Sequence, residues 1–201
     1  MGTPLNRLVP AALLLLLACQ PQVAPPIYGP WEEGLTLTFE DPSKPQPERS
    51  ESRLQVRVAR ATLNPGAPTQ VQLTVANTRG QAKMTFRYQD GGVAVIDEAG
   101  QVLAQPLPVG SANFTQWVDH GIQFRVLGRA AWDGAALLPA TSDPVGLWVE
   151  SRPPQGPLQR TLFLPNLGEV ESRVERNGTW VVVNRLVARG FTDAPTPKRP
   201  S

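Results

Sequence analysis

Apolar and polar residues alternate along most of this chain. Leu35, Leu37 and Phe39 interleave with Thr36, Thr38 and Glu40, and Leu54, Val56 and Val58 interleave with Arg53, Gln55 and Arg57. Val71, Leu73 and Val75 repeat the pattern, as do Ala82, Met84, Phe86 and Tyr88. A period of two sends successive side chains to opposite faces of a strand, so each run describes a sheet with one face on a core and one in water. Turn residues fall between the runs, at 77–80, Asp90-Gly91-Gly92, Glu98-Ala99-Gly100 and Asn177-Gly178. Asn-Gly supplies the positive φ angles of a type I′ turn, which predicts a hairpin joining residues 169–176 to 179–189. In its first strand Val170, Ser172 and Val174 are expected on one face, with Glu169, Glu171, Arg173 and Glu175 on the other. Further strands are predicted at residues 93–96, 112–118, 122–129, 145–151 and 160–164.

No window beyond residue 18 sustains a helical period with caps. The best helical stretch, 130–138, contains Gly134 and stops at Pro139, which leaves room for a single turn. About ten short strands at this spacing imply an all-β fold, a single antiparallel β-sandwich or a curled barrel-like sheet, since curling hides the edges of a large sheet. Proline punctuates the chain at 20–30, 41–52 and 193–201. The first stretch reads as an extended tether of ~3.1 Å per residue that holds the folded body ~30 Å from its attachment point. The second reads as a long exposed loop and the third as a frayed tail. The resulting division is a signal segment 1–18, a Pro-rich tether 19–30, a β domain 31–192 and a disordered tail 193–201.

The N-terminal segment carries one charge, Arg7, then an apolar run from Leu8 to Leu17 interrupted by Pro10. That run is about half the ~20 residues of a transmembrane helix and has the length of a cleaved signal core. It ends in Leu16-Leu17-Ala18-Cys19, which resembles a bacterial lipobox, with Leu17 where Ala, Ser or Thr is usual. The resemblance implies diacylglyceryl transfer to the Cys19 thiol, cleavage before it, further acylation by a chain such as palmitate, and a mature protein held in the membrane by its lipid. One acyl chain binds a bilayer marginally, whereas two or three anchor it permanently. Gln20 follows the cysteine where Asp would retain a lipoprotein in the inner membrane, so the expected address is the cell envelope, at the outer membrane or cell surface.

Removal of residues 1–18 leaves 183 residues and lowers the formal charge from +2 to +1. Such a domain lacks the basic stripe of a nucleic-acid binder and the polybasic cluster of a membrane-surface protein. Cys19 is the single cysteine, which excludes internal disulfides, zinc thiolate sites and cysteine catalysis. No cofactor is implied, and no phosphate-binding Gly-Lys-Ser/Thr loop occurs. His120 is the single histidine, so any Ser-His-Asp hydrolase would use it together with the adjacent Asp119. Both are expected to be solvated on a turn beside Gly121, and the expectation is a non-enzyme. Of the five tryptophans, Trp148 and Trp180 lie in runs apolar on both faces, Gly146-Leu147-Trp148-Val149 and Gly178-Thr179-Trp180-Val181. Each is either core or part of a surface for a lipophilic ligand or an envelope protein partner.

Longer-range order adds a second resemblance. Tyr28-Gly29-Pro30, the run from Gly34 to Phe39, Pro106-Leu107-Pro108-Val109-Gly110 and the closing Leu162 to Val170 are similar to a class of uncharacterised all-β bacterial envelope lipoproteins. That likeness implies a non-catalytic envelope domain that binds a ligand or serves a structural role. Val75-Ala76-Asn77 and the 97–102 turn-strand resemble immunoglobulin-like bacterial proteinase inhibitors, an alternative at the level of fold.

The lipobox makes one prediction. Cys19→Ala abolishes incorporation of a fatty-acid probe and leaves an unprocessed 21.8 kDa precursor in the inner membrane; a variant that still takes the label contradicts it.

Overall fold

A computed structural model of the chain describes residues 26–64, 68–108, 115–139 and 144–192. Cys19, the signal segment 1–18 and the tail 193–201 lie outside the described residues. Among the described residues twelve strands form one antiparallel sheet: β1 Leu35–Glu40, β2 Leu54–Leu63, β3 Pro68–Asn77, β4 Gly80–Gln89, β5 Gly92–Ile96, β6 Val102–Leu107, β7 Gln116–Asp119, β8 Ile122–Ala131, β9 Val145–Arg152, β10 Gln159–Leu164, β11 Gly168–Arg176 and β12 Thr179–Phe191. Strands adjacent in sequence are adjacent in the sheet, and β12 returns to pair with β1, Leu35 opposite Phe191. Only β6 and β7 are consecutive without pairing.

Of the two closures the alternation allowed, the molecule adopts the curled one. The up-and-down order keeps every strand in one sheet, and the right-handed twist of successive pairs accumulates until the sheet bends round as a nearly closed barrel. It is neither a two-layer sandwich nor the Greek-key arrangement of an immunoglobulin-like inhibitor. The edges β6 and β7 face each other across a seam bridged by side chains. Asp119 Oδ2 accepts the Gln105 N–H at 2.8 Å, and Trp117 Nε1 donates to the Gln105 carbonyl at 3.3 Å. Strand β6 was not among the strands the alternation predicted. Pro106 stands within it, a position tolerated because an edge strand can leave an N–H site unused.

Helix is confined, among the described residues, to α1 at Glu48–Glu51 and a 3-10 turn at Ala135–Leu137. The first interrupts the loop expected at 41–52. The second fulfils the single turn expected within 130–138, although Ala130 and Ala131 belong to β8. No described helix is long and apolar enough to cross a membrane.

The inward faces of β1 to β5 supply much of the core, with Leu35, Leu37, Phe39, Val58, Val71, Leu73 and Val93 buried. Leu147 and Val149 continue it on β9. Residues 27–30, expected to be tether, belong to the domain instead. Ile27 packs against the core, Tyr28, Gly29 and Pro30 are buried, and the Ile27 carbonyl accepts the Asn166 N–H at 2.7 Å. The Tyr88 hydroxyl donates to the Pro30 carbonyl at 2.9 Å, and burial pushes its pKa well above the usual phenol range. Gly29 permits this close crossing, since an added Cβ would stand 2.3 Å from the Tyr88 hydroxyl oxygen.

The hairpin joining β11 and β12 turns at Asn177, φ +53°, and Gly178, φ +77°, the two left-handed residues of a type I′ turn. Gly178→Val places a β-branched side chain in that region and is expected to cost about 1–3 kcal/mol in chemical denaturation. An unchanged unfolding midpoint contradicts a turn held in this conformation.

Candidate functional site

The alternation predicted for β11 fails at its start, and the failure builds the site. Leu162 faces Glu171, but the next residue, Phe163, faces Glu169, so Val170 is the extra residue of a β-bulge. A bulge reverses the inside-outside sense of everything beyond it. Glu169 therefore does not share a face with Glu171, as strict alternation required; it shares the concave face with Ser172. A second irregularity on β12 pairs Ser172 with Asn184 but Arg173 with Val182.

These shifts bring Glu169, Ser172, Asn184 and Thr161 together inside the sheet. Glu169 Oε1 accepts from Ser172 Oγ at 2.8 Å and from Asn184 Nδ2 at 2.7 Å. The hydroxyl oxygens of Thr161 and Ser172 are 3.0 Å apart, and with the Ser172 proton directed at Glu169, Thr161 is the donor of that pair.

Beside this network lies an apolar recess of about 190 Å³. Its floor is Leu37, Phe39 and Leu73, all buried, and half-buried Leu54, Val56, Val75, Met84 and Phe86 form its wall. Ten of its twelve lining residues are apolar; the two polar ones are Glu169 and Asn184. The inward residues of β2 to β4 thus do two jobs. Val58 and Val71 fill the core, and Leu54, Val56, Val75, Met84 and Phe86 line an apolar trough with a carboxylate at one side.

Trp148 and Trp180 stand elsewhere. Register puts both on the convex face, Trp148 opposite Leu162 and Trp180 opposite Glu175. The Arg173 guanidinium lies 4.9 Å from the Trp148 ring centroid and that of Arg160 lies 4.0 Å from the Trp180 ring, cation–π contacts that cover part of each indole. Arg160 and Arg125 both hold Glu150, at 3.0 and 2.8 Å. Arg173 and Arg185 hold Glu171, at 2.6 and 3.1 Å, and Asp133 also pairs with Arg185. Glu171, read from alternation as one of a solvated row, is in fact 1% exposed within this network. A convex recess of about 270 Å³ includes Trp148, but its wall carries Arg129, Arg160 and Arg173.

Asp119 and His120 sit where β7 turns into β8. His120, φ +48°, and Gly121, φ +79°, form the turn, and His120 Nδ1 lies 2.8 Å from Asp119 Oδ1. His120 is exposed, as expected, whereas Asp119 is largely sheltered and spends its other oxygen on the seam. No hydroxyl of a described residue bonds to His120, and no cluster of three metal-ligating side chains occurs among the described residues. Asp119 fastens an edge through Gln105, with His120 bonded to its other oxygen.

No protein-family model and no curated protein matches this sequence. Two solved structures are similar to it. One is an exported-protein candidate with a YmcC-like fold from Bacteroides fragilis, 14% identical with a TM-score of 0.46, the match covering 82% of this chain and 99% of the other. The second is a lipoprotein candidate from Parabacteroides distasonis, 12% identical with a TM-score of 0.45, covering 83% and 99%.

The seam separates the roles of the two turn residues. Asp119→Ala removes a charged acceptor from the Gln105 N–H and is expected to lower stability by about 1–3 kcal/mol. His120→Ala, at an exposed turn, is expected to shift it by less than about 0.5 kcal/mol. Thermal denaturation of both variants checks this, and the reverse ranking contradicts it.

Proposed function

We propose that this protein is a lipid-anchored component of the bacterial cell envelope that holds a lipophilic ligand in its concave trough and catalyses no reaction. Attachment rests on Leu16-Leu17-Ala18-Cys19, and Gln20 favours the outer membrane or cell surface. The observation that carries the binding reading is the recess of ten apolar residues on the inner face of the sheet. Recognition sites for small molecules are concave, mainly apolar and furnished with a few converging polar groups, which describes this recess and its Glu169–Asn184 border.

Size narrows the ligand. At about 190 Å³ the recess is below the ~300 Å³ at which sites for drug-sized molecules begin, so it takes a narrow aliphatic segment, with the remainder of the molecule outside. Half-buried Leu54, Val56, Val75, Met84 and Phe86 would each lose further apolar surface to water when that segment is seated, at roughly 25 cal/mol per Å².

Native mass spectrometry of the full-length protein extracted from its membrane tests the reading. The wild-type chain is expected to retain a non-covalent apolar molecule, and Val75→Trp, which fills the recess, is expected to reduce that retention about tenfold or more with little change in melting temperature. Equal retention by both proteins contradicts a trough site, as does loss of the molecule in Trp148→Ala alone.

A further inference from the structure

Glu169 differs from the buried glutamates of this domain. Glu150 is held by two arginines, Arg125 and Arg160, and Glu171 by two more, Arg173 and Arg185. Both lie on the convex face. Glu169, on the concave face beside the apolar recess, forms no ion pair with any described residue. Its hydrogen bonds come from two neutral donors, the Ser172 hydroxyl and the Asn184 amide, and both reach the same oxygen, Oε1. Oε2 accepts no hydrogen bond from a described residue.

A carboxylate beside an apolar wall needs a counter-charge once water is displaced from around it, because an isolated charge in a dry site is strongly disfavoured. The molecule that displaces the water is the ligand. We propose that the trough selects an amphiphile whose head group is a protonated amine, the ammonium donating to Glu169 while the alkyl chain lies along Leu54, Val56, Val75, Met84 and Phe86. This inference rests on the trough being a binding site and adds the chemistry of the head group. Ser172, Asn184 and Thr161 position the carboxylate by fixing Oε1, which leaves Oε2 for the ligand. A neutral alcohol satisfies the hydrogen bond but not the charge. A fatty acid places a second carboxylate beside the first and is repelled.

The test holds the chain constant and varies the head. The full-length protein is titrated separately with dodecylamine, dodecanol and dodecanoate below their aggregation concentrations, and bound molecules are counted by native mass spectrometry. Dodecylamine is expected to bind about tenfold or more tightly than dodecanol, the scale of a charge-assisted hydrogen bond, with dodecanoate weakest. Glu169→Gln is expected to remove the advantage of the amine while dodecanol binding persists. Should that variant fail to fold, the ranking in the wild-type chain alone still decides. Equal binding of the three, or preference for dodecanoate, overturns the head-group inference and leaves the trough in place. Binding of none of them overturns the trough itself.

Discussion

A sheet of twelve strands has two edges, and the way this molecule deals with them determines most of its other properties. Unpaired strand edges invite association with other chains. Pairing β12 with β1 joins the two halves of the chain and leaves β6 and β7 as the exposed edges, which curl brings face to face. They do not zip together. Asp119 and Trp117 occupy the donor and acceptor of Gln105 and so blunt the seam without extending the ladder. A barrel held open by this margin keeps a concave interior with two kinds of lining, packed side chains around Leu35, Val58 and Val71 and a partly unfilled trough over Leu37, Phe39 and Leu73.

The charges follow the same geometry. On the convex face, arginines cover tryptophan rings and hold Glu150 and Glu171 in pairs, an arrangement that balances buried carboxylates with cations from neighbouring strands. On the concave face no described arginine meets Glu169, and neutral donors hold it in place. One sheet thus treats acidic residues two strand positions apart in opposite ways. The dividing feature is a single inserted residue, Val170.

That residue also marks the limit of what the sequence discloses. Strict alternation located β1 and β4 within a residue or two and the middle of β2 and β3, whose ends run up to five residues further, because each run has a polar face in water. Asn177-Gly178 placed the last hairpin because two consecutive left-handed residues admit few alternatives. The seam was not legible, since it depends on residues 105 and 119 meeting after the sheet has curled. Tyr28-Gly29-Pro30 looked like tether because proline and glycine dominate it, whereas its burial depends on Tyr88, distant in the chain. The trough was hidden more thoroughly. Its apolar wall was visible as strand residues, but its carboxylate appeared on the solvated side of β11, and no composition or spacing signals a bulge at Val170. Trp148 and Trp180 give their strands apolar residues on both faces, and guanidiniums cover part of the indole on the outer one.

Met84 offers the most direct measurement of whether the trough is a binding site. The chain contains two methionines, Met1 and Met84, and the thioether of the second lines the recess. With methyl-labelled methionine, titration with an alkyl amphiphile that occupies the trough shifts the Met84 methyl resonance saturably and leaves the indole N–H signals of Trp148 and Trp180 in place. Movement of those indole signals with an unshifted Met84 methyl would contradict a concave site and transfer binding to the arginine-covered outer face.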